Sequence, residues 1–132
     1  MLNILDIRIA DVLISGPLQI YVSTYLHGFL KIFMFVTGVC NIIYNGHNYL
    51  TLNNYIKPIY FIEQFVSKNG KYQIHRIYNL IVMYPIFLYI VLYQNLPKYV
   101  YILLACDIIL GYMYNLYYLL KVMENNYNKN EY

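Results

Sequence analysis

The sequence predicts an all-α fold, a polytopic membrane bundle of four transmembrane helices. Of its 132 residues 61% are hydrophobic and 11% are charged, against roughly 45–50% and about 25% in soluble domains. A soluble domain of this size has too little interior to bury so much apolar surface. Three apolar blocks, at 7–44, 78–93 and 99–120, supply the crossings, and the last two each match one bilayer span.

The first block must contain a break. As one helix it would run to about 57 Å, nearly twice the hydrocarbon thickness of a bilayer. A break at Ser15-Gly16-Pro17 would leave an interfacial N-terminal helix and three spans in the chain. A break at His27-Gly28 would give two short crossings and four spans.

An internal repeat favours the second break. An offset of 68 residues aligns Arg8 with Arg76, Pro17 with Pro85 and Tyr21 with Tyr89. If the turn of the second half contains an insertion of two residues, Tyr44-Asn45 also aligns with Tyr114-Asn115. This pattern predicts a duplicated helical hairpin in which Pro17 and Pro85 are equivalent kinks.

The four-span interpretation divides the single transmembrane domain, residues 1–132, as follows. The spans lie at about 7–26, 29–45, 74–94 and 99–120. Residues 46–73 form a cytoplasmic or interfacial connection, and residues 121–132, which are rich in Asn, form a flexible tail.

Basic residues predict the orientation. One face carries seven of them, Arg8, Lys57, Lys68, Lys71, Arg76, Lys121 and Lys129, and the other carries only Lys31 and Lys98. The positive-inside rule therefore places both termini and the central connection in the cytoplasm.

Asp107 lies near the middle of the last span, where an unpaired carboxylate costs several kcal/mol. An intramembrane acid indicates proton or cation handling, or else a protonated side chain hydrogen-bonded to a neighbouring helix. Thr37 and Asn41 are the candidate hydrogen-bond partners, and Lys31 is a candidate counter-ion.

A second polar group is expected at the cytoplasmic membrane surface. It contains the candidate headgroup ligands His47, Lys71, His75, Arg76, Tyr78 and Asn79. Basic side chains near a helix N-terminus can bind an anionic lipid headgroup. The same residues also fit a structural aromatic belt with interhelical hydrogen bonds.

The sequence gives no indication of metal or cofactor binding, of nucleic-acid binding or of catalysis. Cys40 and Cys106 have no CxxC spacing, and the three histidines divide between opposite membrane faces, so we predict no metal and no cofactor. The formal net charge of +3 is dispersed along the chain, which argues against nucleic-acid binding. The sequence contains none of the common catalytic motifs, so we expect that the protein is not an enzyme.

The chain resembles small uncharacterised multipass proteins of nucleocytoplasmic large DNA viruses, the giant viruses. The resemblance rests on Arg8-Ile9, Gly16-Pro17-Leu18, Tyr21, Tyr44-Asn45-Gly46-His47-Asn48-Tyr49 and His75-Arg76-Ile77-Tyr78-Asn79. The resemblance covers most of residues 6–120. It implies a virion inner membrane or a host endomembrane, and it implies no catalytic residues.

The leading functional hypothesis is a non-enzymatic structural or scaffolding component of such a membrane, with the lipid bilayer as its partner. One alternative is a small transporter or channel that uses Asp107 and forms a homo-oligomer, since four spans enclose little space. A second alternative is the binding of an anionic lipid at the cytoplasmic face.

Overall fold

Four long helices make up most of the chain in the computed structural model, which describes the backbone of residues 4–64 and 73–129 and the side chains of 7–64 and 73–123. We number them α1 to α4: α1 (residues 4–23), α2 (Gly28–Leu52), α3 (residues 74–93) and α4 (Lys98–Lys129). Residues 60–64 are also helical. No strand occurs in the described residues, so the all-α prediction is confirmed for this part of the chain.

The break between α1 and α2 lies close to the predicted position. Residues 24–27 form the turn, His27 is extended, and Gly28 has a φ of 57°. Glycine adopts this left-handed conformation without the steric penalty of a side chain. A second short turn, at 94–97, joins α3 to α4.

Two helices are longer than the sequence predicted. α2 continues past residue 45 to Leu52, so His47 lies in this helix and not in the connection. α4 continues to Lys129, through most of the predicted flexible tail. Polar composition indicated a break near residue 46, but His47 and Asn48 are buried, and tertiary packing often overrides local preference.

The helices form an antiparallel bundle in which each helix contacts two neighbours. Within the hairpins, Gly16 lies against Ile42 and Tyr84 against Tyr112. Between the hairpins, α2 contacts α3 through the rings of Phe33 and Phe87, and α1 contacts α4 through Ser15 and Asp107.

Buried side chains are mainly apolar at one end of the bundle and mainly polar at the other, although Gln19 and Ser23 are also buried at the apolar end. The apolar core includes Val22, Leu26, Met34, Phe87, Ile90, Val100 and Leu104, which are at most 1% exposed. Most of these residues lie toward the two short turns. Toward the opposite end the buried side chains become polar, and they include Asn45, His47, Asn48, Asn79 and Asn115.

Both helices that contain an interior proline carry the same backbone irregularity. A π-helical stretch covers Asp11–Ser15 in α1 and Asn79–Met83 in α3, and each ends two residues before its proline. The N–H of Gly16 donates to the carbonyl of Asp11, and the N–H of Tyr84 donates to the carbonyl of Asn79. In a regular α-helix the proline ring would clash with the carbonyl group four residues earlier, and the wider π turn makes room for it.

Three helical segments are long and apolar enough to cross a membrane: α2, α3 and residues 98–123 of α4. These three helices fit the membrane-integral protein that the composition predicted. α1 has the same length as α3, but it carries three charged residues, Asp6, Arg8 and Asp11.

Candidate functional site

Asp107 lies at the contact between the first and last helices. The hydroxyl of Ser15 donates a hydrogen bond to its Oδ1, with an oxygen–oxygen distance of 2.5 Å. The carboxyl group of Asp11 lies within electrostatic range of Asp107. Two acidic side chains and one hydroxyl therefore meet partway along the bundle, on helices from different hairpins.

The expected partners of Asp107 are occupied or exposed. Thr37 donates its hydroxyl to the carbonyls of Phe33 and Met34 in its own helix, and the side-chain oxygen of Asn41 accepts a hydrogen bond from Asn45. Lys31 is exposed, and the structure shows no ion pair between Lys31 and Asp107, both of which are described. The partner of Asp107 is Ser15, which the sequence analysis did not select.

A buried amide network joins α3 to α4. The Nδ2 of Asn115 donates to the carbonyl of Gly111 at 2.8 Å and to the hydroxyl of Tyr84 at 3.3 Å. The Nδ2 of Asn79 donates to the Oδ1 of Asn115 at 3.4 Å. Asn79 is therefore buried between α3 and α4 and not exposed, as binding of a headgroup would require.

A group of basic and aromatic side chains surrounds the polar end of the bundle. We call Arg8, Tyr44, His75, Arg76 and Tyr114 the arginine cluster. The guanidinium carbon of Arg8 lies 6.0 Å from the centre of the Tyr44 ring, and that ring stacks on His75 at 5.0 Å. The guanidinium carbon of Arg76 lies 5.4 Å from the centre of the Tyr114 ring.

The other candidate headgroup residues differ in position. His47 is buried, and its Nε2 accepts the N–H of Ile59 at 3.0 Å, so it holds the chain that follows α2. Tyr78 is 40% exposed on the surface of α3. Lys71 lies outside the described residues. Of the candidate residues that are described, the structure therefore brings His75 and Arg76 together.

The opposite end of the bundle contains a tyrosine cluster and an apolar groove. The hydroxyls of Tyr21, Tyr25 and Tyr99 lie 2.7–3.2 Å apart and connect the α1–α2 hairpin to α4. The groove, of about 430 Å³, is lined by side chains of α2 and α3. Apart from the hydroxyl of Tyr89, the side chains that line the groove are apolar. They offer few groups that could orient a polar substrate.

Arg8 and Ser15 are the candidate site residues that the sequence did not indicate. The repeat contained the signal for Arg8, because it aligned Arg8 with the selected Arg76. Ser15 gave no comparable signal, since its partner is 92 residues away along the chain and its repeat equivalent is Met83.

The described residues contain no group of three or more His, Cys, Asp or Glu side chains that could hold a metal ion. Cys40 and Cys106 are both exposed, free thiols. Comparison of the chain with protein-family models, with curated proteins and with solved structures finds no match.

Proposed function

We propose that the chain is a four-span integral membrane protein with a structural, non-enzymatic role. Support for a first span comes from α1, whose 20 residues measure about 30 Å, the thickness of the hydrocarbon core. On its outer side Leu13 and Ile14 are 69% and 63% exposed. Apolar side chains at that exposure suit lipid, while Asp11 and Ser15 are directed toward α4.

The proposal includes a duplicated hairpin. Support comes from features that recur at the repeat offset: the two π-helical stretches, the arginine–tyrosine contacts Arg8–Tyr44 and Arg76–Tyr114, and the amide–carbonyl bonds of Asn45 and Asn115. Hairpins that run in the same direction are related by an axis along the membrane normal, as in parallel-repeat membrane proteins.

The observation that supports a structural role is the use of polar side chains inside the bundle. Asn79, Asn115 and Tyr84 bond to one another across helices, and so do Ser15 and Asp107. Interhelical hydrogen bonds of this kind hold membrane helices together. We place the protein in a virion inner membrane or a host endomembrane, with both termini cytoplasmic, on the basis of the viral resemblance and the basic-residue bias.

A gradient assay tests this role. We expect liposomes that contain the purified full-length protein to hold an imposed proton or potassium gradient as well as protein-free liposomes do. The structural role is wrong if the protein dissipates either gradient and Asp107→Asn abolishes the leak. Lys98→Gln, which changes a charge at the first turn of the same helix, is the control for a leak caused by incomplete insertion.

A second candidate function is proton or cation transport, because Asp11 lies close to the Asp107–Ser15 pair. Neighbouring intramembrane acids are typical of ion pathways. Four helices enclose little space, so this function requires a homo-oligomer. A leak that Asp11→Asn and Asp107→Asn both remove, together with cross-linked oligomers in mild detergent, would favour transport over the structural role.

A further inference from the structure

The arginine cluster places positive charges from both hairpins at one end of the bundle. Arg8 lies near the start of the first hairpin and Arg76 near the start of the second, at equivalent positions of the repeat. The ring of Tyr44 lies between Arg8 and His75, and His75 is the chain neighbour of Arg76. The two arginines come from different helices and are linked through the stacked rings of Tyr44 and His75.

Aromatic rings hold both guanidinium groups in place. Arg76 lies over two tyrosine rings, with its guanidinium carbon 5.4 Å from the centre of Tyr114 and 4.9 Å from the centre of Tyr118. Its Nε donates to the Oε1 of Gln73 at 2.7 Å. Cation–π contacts of this type orient a guanidinium while leaving its remaining N–H groups available to a ligand.

The hydrogen bonding of Arg8 is incomplete. Its Nη1 donates to the Oδ1 of Asn45 at 3.5 Å, the upper limit for a hydrogen bond, and its buried Nε has no acceptor among the described residues. A buried donor without a partner destabilises the fold, and a charged donor does so more strongly. No described carboxylate forms a close ion pair with either guanidinium, although the carboxyl group of Asp11 lies within electrostatic range of Arg8. A bound anion would supply the acceptor that the Nε of Arg8 lacks among the described residues.

We propose that Arg8 and Arg76 form one anion site at the shared end of the hairpins, and that its ligand is the phosphate of an acidic lipid headgroup. The phosphate oxygens accept N–H groups from both guanidinium groups, an arrangement that favours arginine over lysine. Arg8 is the fifth residue of α1 and Arg76 the third of α3, so both lie within about one and a half turns of a helix N-terminus. This site goes beyond the proposed structural role.

His47 and Asn79 are excluded from this site by their own contacts. His47 accepts the backbone N–H of Ile59, and Asn79 donates to Asn115. The site therefore has a ligand set different from the one that the sequence predicted, with Arg8 as a main donor.

Native mass spectrometry of the full-length protein in detergent tests the site. The probes are phosphatidic acid and phosphatidylcholine with the same acyl chains, at equal concentrations. We expect phosphatidic acid to bind more tightly by tenfold or more, and Arg8→Gln and Arg76→Gln each to weaken its binding about tenfold, the loss of one charged hydrogen-bond donor. Lys31→Gln and Lys98→Gln remove the same charge at the opposite end and should change binding less than twofold.

Three results would overturn the proposal: equal binding of the two lipids, equal losses in the arginine and lysine variants, or displacement of the lipid by inorganic phosphate at the same concentration. The last result would assign the site to free phosphate. A measurement on the unchanged protein keeps the test valid if the variants fail to fold. Phosphatidic acid should raise its thermal unfolding temperature above the value in phosphatidylcholine, because a ligand that binds only the folded state stabilises it, and equal temperatures would contradict the proposal.

Discussion

Replacing Gly38 by alanine is expected to destabilise the first hairpin by about 1–3 kcal/mol, the cost of overpacking a tight contact. A methyl group at Gly38 would lie 2.8 Å from the carbonyl oxygen of Gly16 and 2.8 Å from a side-chain carbon of Ile20. The nearest atom belongs to the backbone of α1 and cannot rotate away. Small residues allow this close approach of membrane helices, so the two helices must separate to accept the methyl group.

Thermal unfolding in detergent, followed by circular dichroism, measures the effect of Gly38→Ala. Gly46→Ala is the matched control in the same helix, because among the described residues its added methyl group would meet only Val12, at an ordinary 3.8 Å. Alanine is the better helix former, so the control should unfold at the same temperature or higher. Equal unfolding temperatures for the two variants would show that the Gly38–Gly16 contact is not close.

Asn115→Leu is expected to destabilise the second hairpin by about 1–3 kcal/mol, the cost of a buried polar group left without its partner. The change removes the acceptor of Asn79 and the donor to the hydroxyl of Tyr84, both of which are buried. In lipid no water replaces either partner. The same unfolding assay should show a lower midpoint, whereas Met113→Leu, at an exposed position of α4, should leave the midpoint unchanged.

The double variant Asn79→Leu, Asn115→Leu separates lost hydrogen bonding from lost packing. Because it removes both amides, it should be less destabilised than the sum of the two single variants. Simple additivity would mean that the two amides do not interact in the folded protein.

The sequence predicted the helical class, the three apolar helices and both short turns. The helical class and the apolar helices depend on composition and segment length, and the turns depend on glycine and proline. All of these act locally, so they can be recognised in the sequence. The repeat also anticipated equivalent positions for Pro17 and Pro85, although the irregularity is a π-helical stretch that begins six residues before each proline. The helix α2 extends to Leu52, beyond the predicted span of 29–45, because burial of His47 and Asn48 keeps polar residues in a helix that composition alone would end.

Candidate site residues were harder to predict, because their partners lie far apart in the chain. Asp107 was identified from its position alone, but its bond to Ser15 depends on how one hairpin rotates against the other. Asn79 resembles a surface residue in the sequence, and only the fold places it opposite Asn115. Arg8 differs from these residues, because the repeat had already paired it with Arg76, and comparing the two halves residue by residue would have selected it.

The sidedness of the N-terminus tests the proposed four-span bundle most directly. Single cysteines at Asn3→Cys, Glu63→Cys and Asn95→Cys, in a protein that also carries Cys40→Ala and Cys106→Ala, are treated with an impermeant maleimide in sealed vesicles of known orientation. If α1 crosses the membrane, positions 3 and 63 are labelled from one side and position 95 from the other. Labelling of positions 3 and 95 from the same side, with position 63 opposite, would contradict the four-span bundle and leave α1 at the membrane surface.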